Sequence, residues 1–197
     1  MHVLHLISGL NSGGAEGVLF KLIKNDNNNT HNVISFSGGF YFSELKKNKI
    51  DVNIIKLKNI FFIINLIKLI FLIKKKNPDI IQSWMYHADF ITIFLKFFFI
   101  KKKVFWNIRN TTPQLEWSSL STIFLGKICA LFSYIVPNKI ITCSKTALVQ
   151  HSNYGYCKKK FKLIFNGFNP YSFKPNLKNR RLNRKKLKID NNDFVIG

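Results

Sequence analysis

The sequence is poor in acidic residues and in cysteine, and each shortage argues against a class of protein. Nine Asp and Glu residues stand against 31 Lys and Arg, so the formal net charge is +22. A surface of this kind attracts anions, which leaves nucleic acid, anionic lipid headgroups and phosphorylated substrates open as partners. The three cysteines, Cys129, Cys143 and Cys157, show no CxxC or Cys/His spacing. Their number and spacing argue against a disulfide framework and a zinc site, so we expect no metal ion.

The sequence also lacks an export leader and a long apolar run. Its first residues, MHVLHLISGLNSGG, contain no basic segment followed by an apolar core, so we expect a cytoplasmic protein. The apolar runs Ile60–Ile73 and Phe90–Ile100 fall short of the roughly 18–20 residues that span a bilayer. Asn65 and Lys68 interrupt the first run and Lys96 the second, which suits helices with a narrow polar stripe. Each predicted helix either packs in the core or also touches lipid.

Short runs rich in β-branched residues alternate with longer helical runs. This alternation predicts consecutive βα units and a doubly wound α/β fold with a parallel sheet, whose ligands bind at the carboxyl ends of the strands. The predicted strands are Val3–Ser8, Asn32–Phe36, Val52–Leu57, Ile80–Trp84, Val104–Ile108 and Lys139–Cys143, with a seventh candidate at Lys162–Phe165. The predicted helices are Ala15–Asn25, Phe42–Asn48, Ile60–Lys76, Ala88–Ile100, Ser118–Val136 and Lys145–Tyr154.

A glycine-rich turn follows the first predicted strand. It runs from Ser8 to Glu16 with the sequence SGLNSGGAE and leads into a helix. The backbone N–H groups of such a turn, with the helix N-terminus, can bind a phosphate or diphosphate. The spacing is neither the GxGxxG dinucleotide fingerprint nor a Walker A loop. A tight turn that only feeds the helix is the other interpretation.

Polar side chains follow the fourth and fifth predicted strands. The fourth leads into QSWMYHAD, in which His87 near Asp89 can act as a base or orient a hydroxyl, and a packed aromatic patch is the alternative. The fifth leads into WNIRNTT, in which Arg109 can bind a phosphate or carboxylate through two N–H groups and Asn110 adds an amide. These side chains are expected at one rim of the sheet.

The sixth predicted strand ends at TCSK, and these residues favour a structural role over a catalytic one. Ser144 predicts a helix N-cap. A Cys143 nucleophile with His151 as its base is disfavoured, because the two residues lie before and well along one predicted helix. From about Asn169 the sequence turns rich in Pro, Asn, Lys and Arg, which predicts a linker and a short basic helix over 169–193, and FVIG at 194–197 predicts the start of a strand.

These segments resemble, in order along almost the whole chain, the amino-terminal domain of the GT4 family of retaining glycosyltransferases, which have the GT-B fold. The resemblance is carried by GLNSGGAE, NPDIIQSW, VFWNIRNT, IITCSKTALVQHSNYGY and FNGFNPYSFKP. It implies that residues 1–168 form the Rossmann-like, acceptor-side half of a GT-B enzyme. RRLNRKKLKI within 169–193 resembles the helix before the second domain, and 194–197 resembles the first strand of that donor-binding domain.

The family resemblance also implies roles for the residues at the rim of the sheet. Gly13 and Gly14 correspond to backbone that reaches the donor diphosphate, and His87, Arg109 and Asn110 are expected to face the acceptor. Many relatives have a His where this sequence has Arg109, so a mechanism that depends on that His is not implied. No catalytic residue is identified, because the family's paired glutamates and leaving-group cations lie in the second domain.

The implied function is transfer of a hexosyl or N-acetylhexosaminyl group from a nucleotide sugar to a lipid-linked or polysaccharide acceptor, in bacterial envelope polysaccharide synthesis. No metal or other cofactor is expected. We expect this chain alone to be weakly active or inactive, and to lie on the anionic inner face of the cytoplasmic membrane. The alternatives are a non-catalytic glycan- or lipid-binding accessory domain, or half of a split transferase with a separate donor-binding polypeptide. No nucleic-acid-binding pattern is present, so nucleic acid is not an expected partner.

Overall fold

The computed structural model describes residues 1–57, 61–111, 118–171, 174–190 and 192–196, and it divides into two units, Met1–Phe165 and Asn166–Gly197. In the described part of the first unit, a seven-stranded parallel sheet has the order β3-β2-β1-β4-β5-β6-β7. The strands are β1 His2–Ile7, β2 Thr30–Ser35, β3 Asp51–Ile54, β4 Ile80–Trp84, β5 Lys103–Ile108, β6 Lys139–Thr142 and β7 Phe161–Leu163. The helices are α1 Gly14–Asn25, α2 Phe40–Lys47, α3 Phe62–Lys76, α4 Met85–Phe98, α5 Leu120–Phe132 and α6 Lys145–Tyr154.

The strand order reverses at the centre of the sheet. β1 pairs with β2 on one side and with β4 on the other, and Ile7 and Trp84 lie opposite each other at the ends of β1 and β4. The chain therefore winds outward in both directions from this point. A crevice opens at such a switch point in doubly wound sheets, beyond the carboxyl ends of the strands.

The two faces of the sheet bury separate hydrophobic clusters. Leu4 and Leu6 pack in a cluster with Leu69 of α3 and Cys129 of α5. The alternate residue Ile7 packs in the other cluster, which contains side chains of α1 and α2. Successive strand residues point to opposite faces, so the near-continuous apolar run of β1 supplies both layers. Burial on both faces fixes the register of the central strands.

The predicted α/β, Rossmann-like parallel sheet is confirmed, including the seventh strand. Helix starts were predicted less well. Helix α4 begins at Met85 instead of Ala88, because β4 turns directly into the helix through Met85, which has a φ of 69°. Helix α3 begins at Phe62, and the predicted start at Ile60 lies outside the described residues. No helix among the described residues has the length and apolar character that a bilayer crossing requires.

Helix α5 is shorter than predicted at both ends. It begins after Ser119, whose hydroxyl accepts a hydrogen bond from the backbone N–H of Thr122, and it ends at Phe132. Its predicted end was Val136. The last turn is instead closed by Ser133, which donates its hydroxyl to the carbonyl of Ala130 at 2.6 Å. Local side-chain hydrogen bonds of this kind compete with continued helix.

The second unit contains a basic helix, α7, over Leu177–Leu187. Asn176 caps it by accepting a hydrogen bond from the backbone N–H of Asn179 at 3.0 Å. Arg184 donates hydrogen bonds to the carbonyl oxygens of Asp190 and Asp193 and so holds the segment that follows the helix. The predicted basic helix within 169–193 is therefore present. The predicted division of the chain into domains stays a prediction.

Candidate functional site

A pocket of about 410 Å³ lies at the carboxyl ends of β1, β4 and β5. It brings together four residues that the sequence predicts as binding residues, and Gly13 is the N-cap beside them. Their predicted roles in binding donor and acceptor stay predictions. The lining residues are Ser8, Gly14, Ala15, Glu16, Met85, Tyr86, His87, Arg109, Asn110 and Thr122.

Two helices begin at this pocket, because the first turns of α1 and α4 supply most of its lining. Their N-cap residues are Gly13 and Trp84, neither of which caps its helix with a side-chain hydrogen bond. The first N–H groups of a helix have no partner within it, and the helix dipole adds positive potential at the same end. Two such ends at one pocket favour an anion over a cation there.

The glycines at the start of α1 have different surroundings. A Cβ at Gly13 would overlap the carboxylate of Glu16, whereas a Cβ at Gly14 would meet nothing within 4 Å. The Glu16 carboxylate therefore lies beside the N-terminus of its own helix, where a negative charge is favourable. Glu16 lines the pocket and was not among the predicted site residues. A diphosphate bound at Gly13 and Gly14 must displace this carboxylate or bind beside it.

The start of α4 is strained. Met85 has a φ of 69°, in the left-handed region that non-glycine residues seldom occupy. Such a conformation costs about 1–3 kcal/mol and is found most often at functional sites. The tight turn sets the adjacent Tyr86 and His87 at the pocket wall. Sequence periodicity contains no signal for it, because Met85 is neither glycine nor asparagine.

Arg109 supplies the cation of the pocket. One of its terminal nitrogens donates a hydrogen bond to Asn107 Oδ1 at 2.9 Å, and its guanidinium carbon lies 5.2 Å from the ring centroid of Trp84. Burial lowers the pKa of Arg109, while the nearby Cys143 raises it. The aromatic face stabilises the cation while the pocket keeps it accessible to an anionic ligand.

Tyr86 and Asn110 form a polar group beside Arg109. His151 donates from Nδ1 to the carbonyl of Ala147 at 2.8 Å, so its Nε2 accepts from the Tyr86 hydroxyl at 2.6 Å. Burial raises the pKa of Tyr86, which keeps the hydroxyl protonated as the donor. Both ring nitrogens of His151 are thus engaged, and Cys143 does not have it as a base. Asn110 hydrogen-bonds Tyr86, and its buried Oδ1 has no hydrogen-bond partner among the described residues.

An unpartnered, buried acceptor such as Asn110 Oδ1 is unfavourable by about 1–3 kcal/mol unless a ligand or water supplies a donor. A sugar hydroxyl is one such donor. Asp89, by contrast, belongs to the core: it is fully buried and accepts a hydrogen bond from Ser83 Oγ at 2.5 Å. Burial raises the pKa of Asp89 well above its usual range. Asp89 is therefore not among the residues that line this pocket with His87, and the role of His87 as a base or as a group that orients a hydroxyl stays a prediction.

A chain of hydrogen bonds runs under the pocket from Trp84 to Asp26. The Trp84 indole donates to His5 Nδ1 at 3.3 Å, so His5 donates from Nε2 to His31 Nδ1 at 3.0 Å. His31 in turn donates from Nε2 to the Asp26 carboxylate at 3.2 Å. The indole can only donate, and this fixes the tautomer of each imidazole. Burial, with His31 close by, lowers the pKa of His5 to about 3.

A second pocket, of about 290 Å³, adjoins the first and shares Ser8 and His87 with it. It is apolar and lies between the start of α3 and the first half of α4. Its other lining residues are Phe36, Leu57, Phe62, Phe90, Ile91 and Leu125. The site thus has a polar half and an apolar half on either side of His87.

Among the described residues, no group of three His, Cys, Asp or Glu side chains could hold a metal ion. The expectation of a reaction without a metal stays a prediction.

No protein-family model and no curated protein matches the sequence. Among solved structures, the chain resembles HepE from Anabaena in complex with UDP-glucose, with a TM-score of 0.81, 18% identity, and coverage of 98% of this chain and 51% of that one. The chain also resembles MurG from Acinetobacter baumannii, with a TM-score of 0.58 and 12% identity, over 88% of this chain and 47% of that one. For UDP-GlcNAc 2-epimerase from Neisseria meningitidis bound to UDP-GlcNAc, the TM-score is 0.57 and the identity 12%, over 98% of this chain and 55% of that one.

The chain spans about half the length of each of these structures. At such low identity the likeness shows the fold alone, which is the Rossmann-like fold of a GT-B glycosyltransferase domain.

Proposed function

We propose that this chain is the acceptor-side half of a GT4-like, retaining GT-B glycosyltransferase of bacterial envelope polysaccharide synthesis. It contributes to transfer of a hexosyl or N-acetylhexosaminyl group from a nucleotide sugar to a lipid-linked or polysaccharide acceptor. The observation that carries the proposal is the pocket at the switch point of the sheet, where two helix N-termini and the Arg109 guanidinium meet. A nucleotide-sugar reaction needs such a site, because diphosphate and developing negative charge must be stabilised.

The two sides of the pocket suit the two substrates. On the α1 side, Gly14 leaves the backbone open to a close approach, which suits the donor diphosphate at Gly13 and Gly14. On the other side, His87, Arg109 and Asn110 offer an imidazole, a cation and an unfilled amide oxygen to the acceptor. Hydrogen-bonding groups of this variety on a preformed wall are typical of sugar and phosphate recognition.

A donor-binding half is required to complete the reaction. The solved structures that bind UDP or UDP-glucose are about twice as long as this chain. We expect this second half to supply the charges that stabilise the departing diphosphate, as part of the same polypeptide or as a separate one. The 197-residue chain is therefore expected to fold but to transfer sugar weakly or not at all.

The surface of α3 and α4 supports attachment to the anionic inner face of the cytoplasmic membrane. Ile63, Phe71 and Phe97 are exposed, and lysines close both helices, among them Lys74 and Lys75. Exposed aromatic and aliphatic side chains beside cations are typical of a peripheral membrane surface, each cation adding about 1 kcal/mol of attraction near anionic lipid. The expected result is binding to anionic vesicles that weakens with added salt, and binding indifferent to lipid charge and salt would contradict it.

A transfer assay tests the proposal. The assay uses a two-domain enzyme, in which this chain is joined to or mixed with a donor-binding half. In that enzyme, Gly14→Val and Arg109→Ala should each lower kcat/KM for transfer from a nucleotide sugar. Removal of the charge-assisted contact of Arg109 should cost about 1.5–3 kcal/mol of transition-state binding. Gly167→Val is the matched control for the glycine, since a Cβ at Gly167 also meets nothing within 4 Å. Arg180→Ala, on the exposed face of α7, is the control for the arginine.

Unchanged kcat/KM in both pocket variants, with a normal unfolding transition, would refute the assignment of this pocket. Glycan binding without sugar transfer, even when a donor-binding half is present, would favour the alternative of a non-catalytic accessory domain. Efficient transfer by the 197-residue chain alone would show that no donor-binding half is required.

A further inference from the structure

The apolar pocket beside His87 continues along α4 as a row of phenylalanines. Phe90, Phe94 and Phe98 are spaced four residues apart and so lie on one face of the helix. Phe90 and Phe94 meet edge to face with ring centroids 5.2 Å apart, and Phe62 of α3 meets Phe94 in the same way at 6.5 Å. The first ring of the row lines the apolar pocket.

The last ring of the row lines a further apolar groove. This groove has a volume of about 560 Å³ and lies between the carboxyl-terminal ends of α3 and α4. Its walls include Ile67 and Phe71 of α3 and Phe98 of α4, and Lys74 and Lys102 lie at its rim. Eight residues of α helix separate Phe90 from Phe98, which corresponds to about 12 Å. We name the whole path, from the apolar pocket to this groove, the α3/α4 groove.

Among the described residues, the far end of the α3/α4 groove, between the carboxyl-terminal ends of the two helices, is open to solvent. Phe98 is 63% exposed and Phe71 67% exposed, although both line it. Contiguous exposed apolar surface on a soluble domain marks a surface for a ligand or partner. Its upper end opens at His87, in the same wall as the anion-binding pocket. A ligand that spans both must have an anionic head and an apolar tail.

We propose that the α3/α4 groove holds the isoprenoid or alkyl chain of a lipid-linked acceptor. The anionic head group lies in the polar pocket, against Arg109 and the N-terminus of α4. This inference rests on the proposed function for the role of the polar pocket, and it selects the lipid-linked acceptor over the polysaccharide. Charge complementarity sets the direction of the lipid, because the anionic head meets the Arg109 cation and the N-terminus of α4 while the hydrocarbon chain meets only apolar walls.

Farnesyl diphosphate and inorganic diphosphate are the probes, titrated calorimetrically into the 197-residue chain. No sugar donor is present, so the result does not depend on transfer activity. Farnesyl diphosphate should bind at least about a hundredfold more tightly than inorganic diphosphate. A difference of this size requires burial of only about four methylene groups. Farnesol, which lacks the anionic head, should bind more weakly than farnesyl diphosphate.

A matched pair of variants identifies the groove. Phe98→Ser should weaken farnesyl diphosphate about tenfold and leave inorganic diphosphate unchanged. Phe97→Ser is the control, because Phe97 is the neighbouring residue, is 73% exposed and is not among the residues that line the groove. Both side chains are exposed, so neither change should unfold the protein.

Equal affinity for farnesyl diphosphate and inorganic diphosphate would overturn the inference, as would equal effects of the two serine variants. Loss of vesicle binding in both variants, with unchanged farnesyl diphosphate affinity, would show that the surface contacts a bilayer and does not hold a single chain. Tight farnesyl diphosphate binding together with no sugar transfer by a two-half protein would contradict the proposed function and leave the groove assignment intact.

Discussion

Acidification should destabilise this protein through His5, which burial keeps uncharged in the folded chain. His5 lies in the central strand with no exposed surface, between the Trp84 indole and His31. Its Nδ1 accepts a hydrogen bond and its Nε2 donates one, so an added proton would sit on Nδ1 and face the indole N–H. Protonation therefore breaks the hydrogen bond to Trp84 and places a charge in the core.

The magnitude follows from the pKa of His5, which falls from 6.5 to about 3 on folding. Between these two values the unfolded chain binds a proton that the folded chain does not, so stability falls as the pH falls. The contribution of His5 to stability is fully present above pH 6.5 and is lost by about 1.4 kcal/mol per pH unit between pH 6.5 and about 3. Lowering the pH from 7 to 5 should therefore remove about 2 kcal/mol of stability through His5, from a net stability of roughly 5–15 kcal/mol.

Urea unfolding at pH 7 and pH 5 measures this loss. His5→Gln retains a hydrogen-bond acceptor and a donor but does not titrate, so it should lose about 2 kcal/mol less than the parent over this interval. His2→Gln, on the same strand, is the control and should retain the parental acid sensitivity. The pKa of Asp26 is lowered by hydrogen bonds from Asn29 and Asn28, so that carboxylate is protonated only at lower pH. Equal acid sensitivity in the parent and in His5→Gln would refute the reasoning.

Other substitutions test the turn, the anion site and the buried polar pair. Gly39→Ala should destabilise the fold by about 1–3 kcal/mol in urea unfolding, because Gly39 has a φ of 154° and a Cβ would overlap the backbone of Leu10. Glu16→Gln should tighten the binding of inorganic diphosphate in calorimetry, since it removes a carboxylate from the N-terminus of α1, and an unchanged affinity would contradict this. Tyr86→Phe should lower the free energy of unfolding by about 1–2 kcal/mol, because His151 loses its buried donor, and a neutral effect would contradict the pairing.

Much of the fold could be predicted because the sequence pattern repeats along the chain. Each βα unit has an apolar strand followed by a longer helical run, and Pro78 marks the end of α3 while Pro137 lies just before β6. The start of α4 could not be predicted, since it depends on the left-handed backbone of Met85. Tertiary packing imposes that conformation, and the local sequence does not favour it.

The candidate site was partly predictable for a topological reason. Residues that follow parallel strands meet at one rim of the sheet. The proximity of Gly14, His87 and Arg109 could therefore be predicted before any side-chain contact was known. Glu16 and Tyr86 were missed because their importance depends on which way a side chain points within the first turn of a helix. Pairings between side chains far apart in sequence depend on register and packing, which one sequence does not disclose.

Trp84 gives the pocket an optical reporter of its own. Its indole is fully buried, and the Arg109 guanidinium lies 5.2 Å from its ring centroid. An anion that draws this cation away changes the electric field at the chromophore, so the emission of Trp84 should shift in wavelength as the pocket fills. Trp84→Phe should abolish that shift. Trp106 is buried and donates a hydrogen bond to Thr92, so Trp106→Phe should lower the total emission intensity and leave the wavelength shift in place. Occupancy by an anionic ligand can then be followed in real time without a labelled substrate.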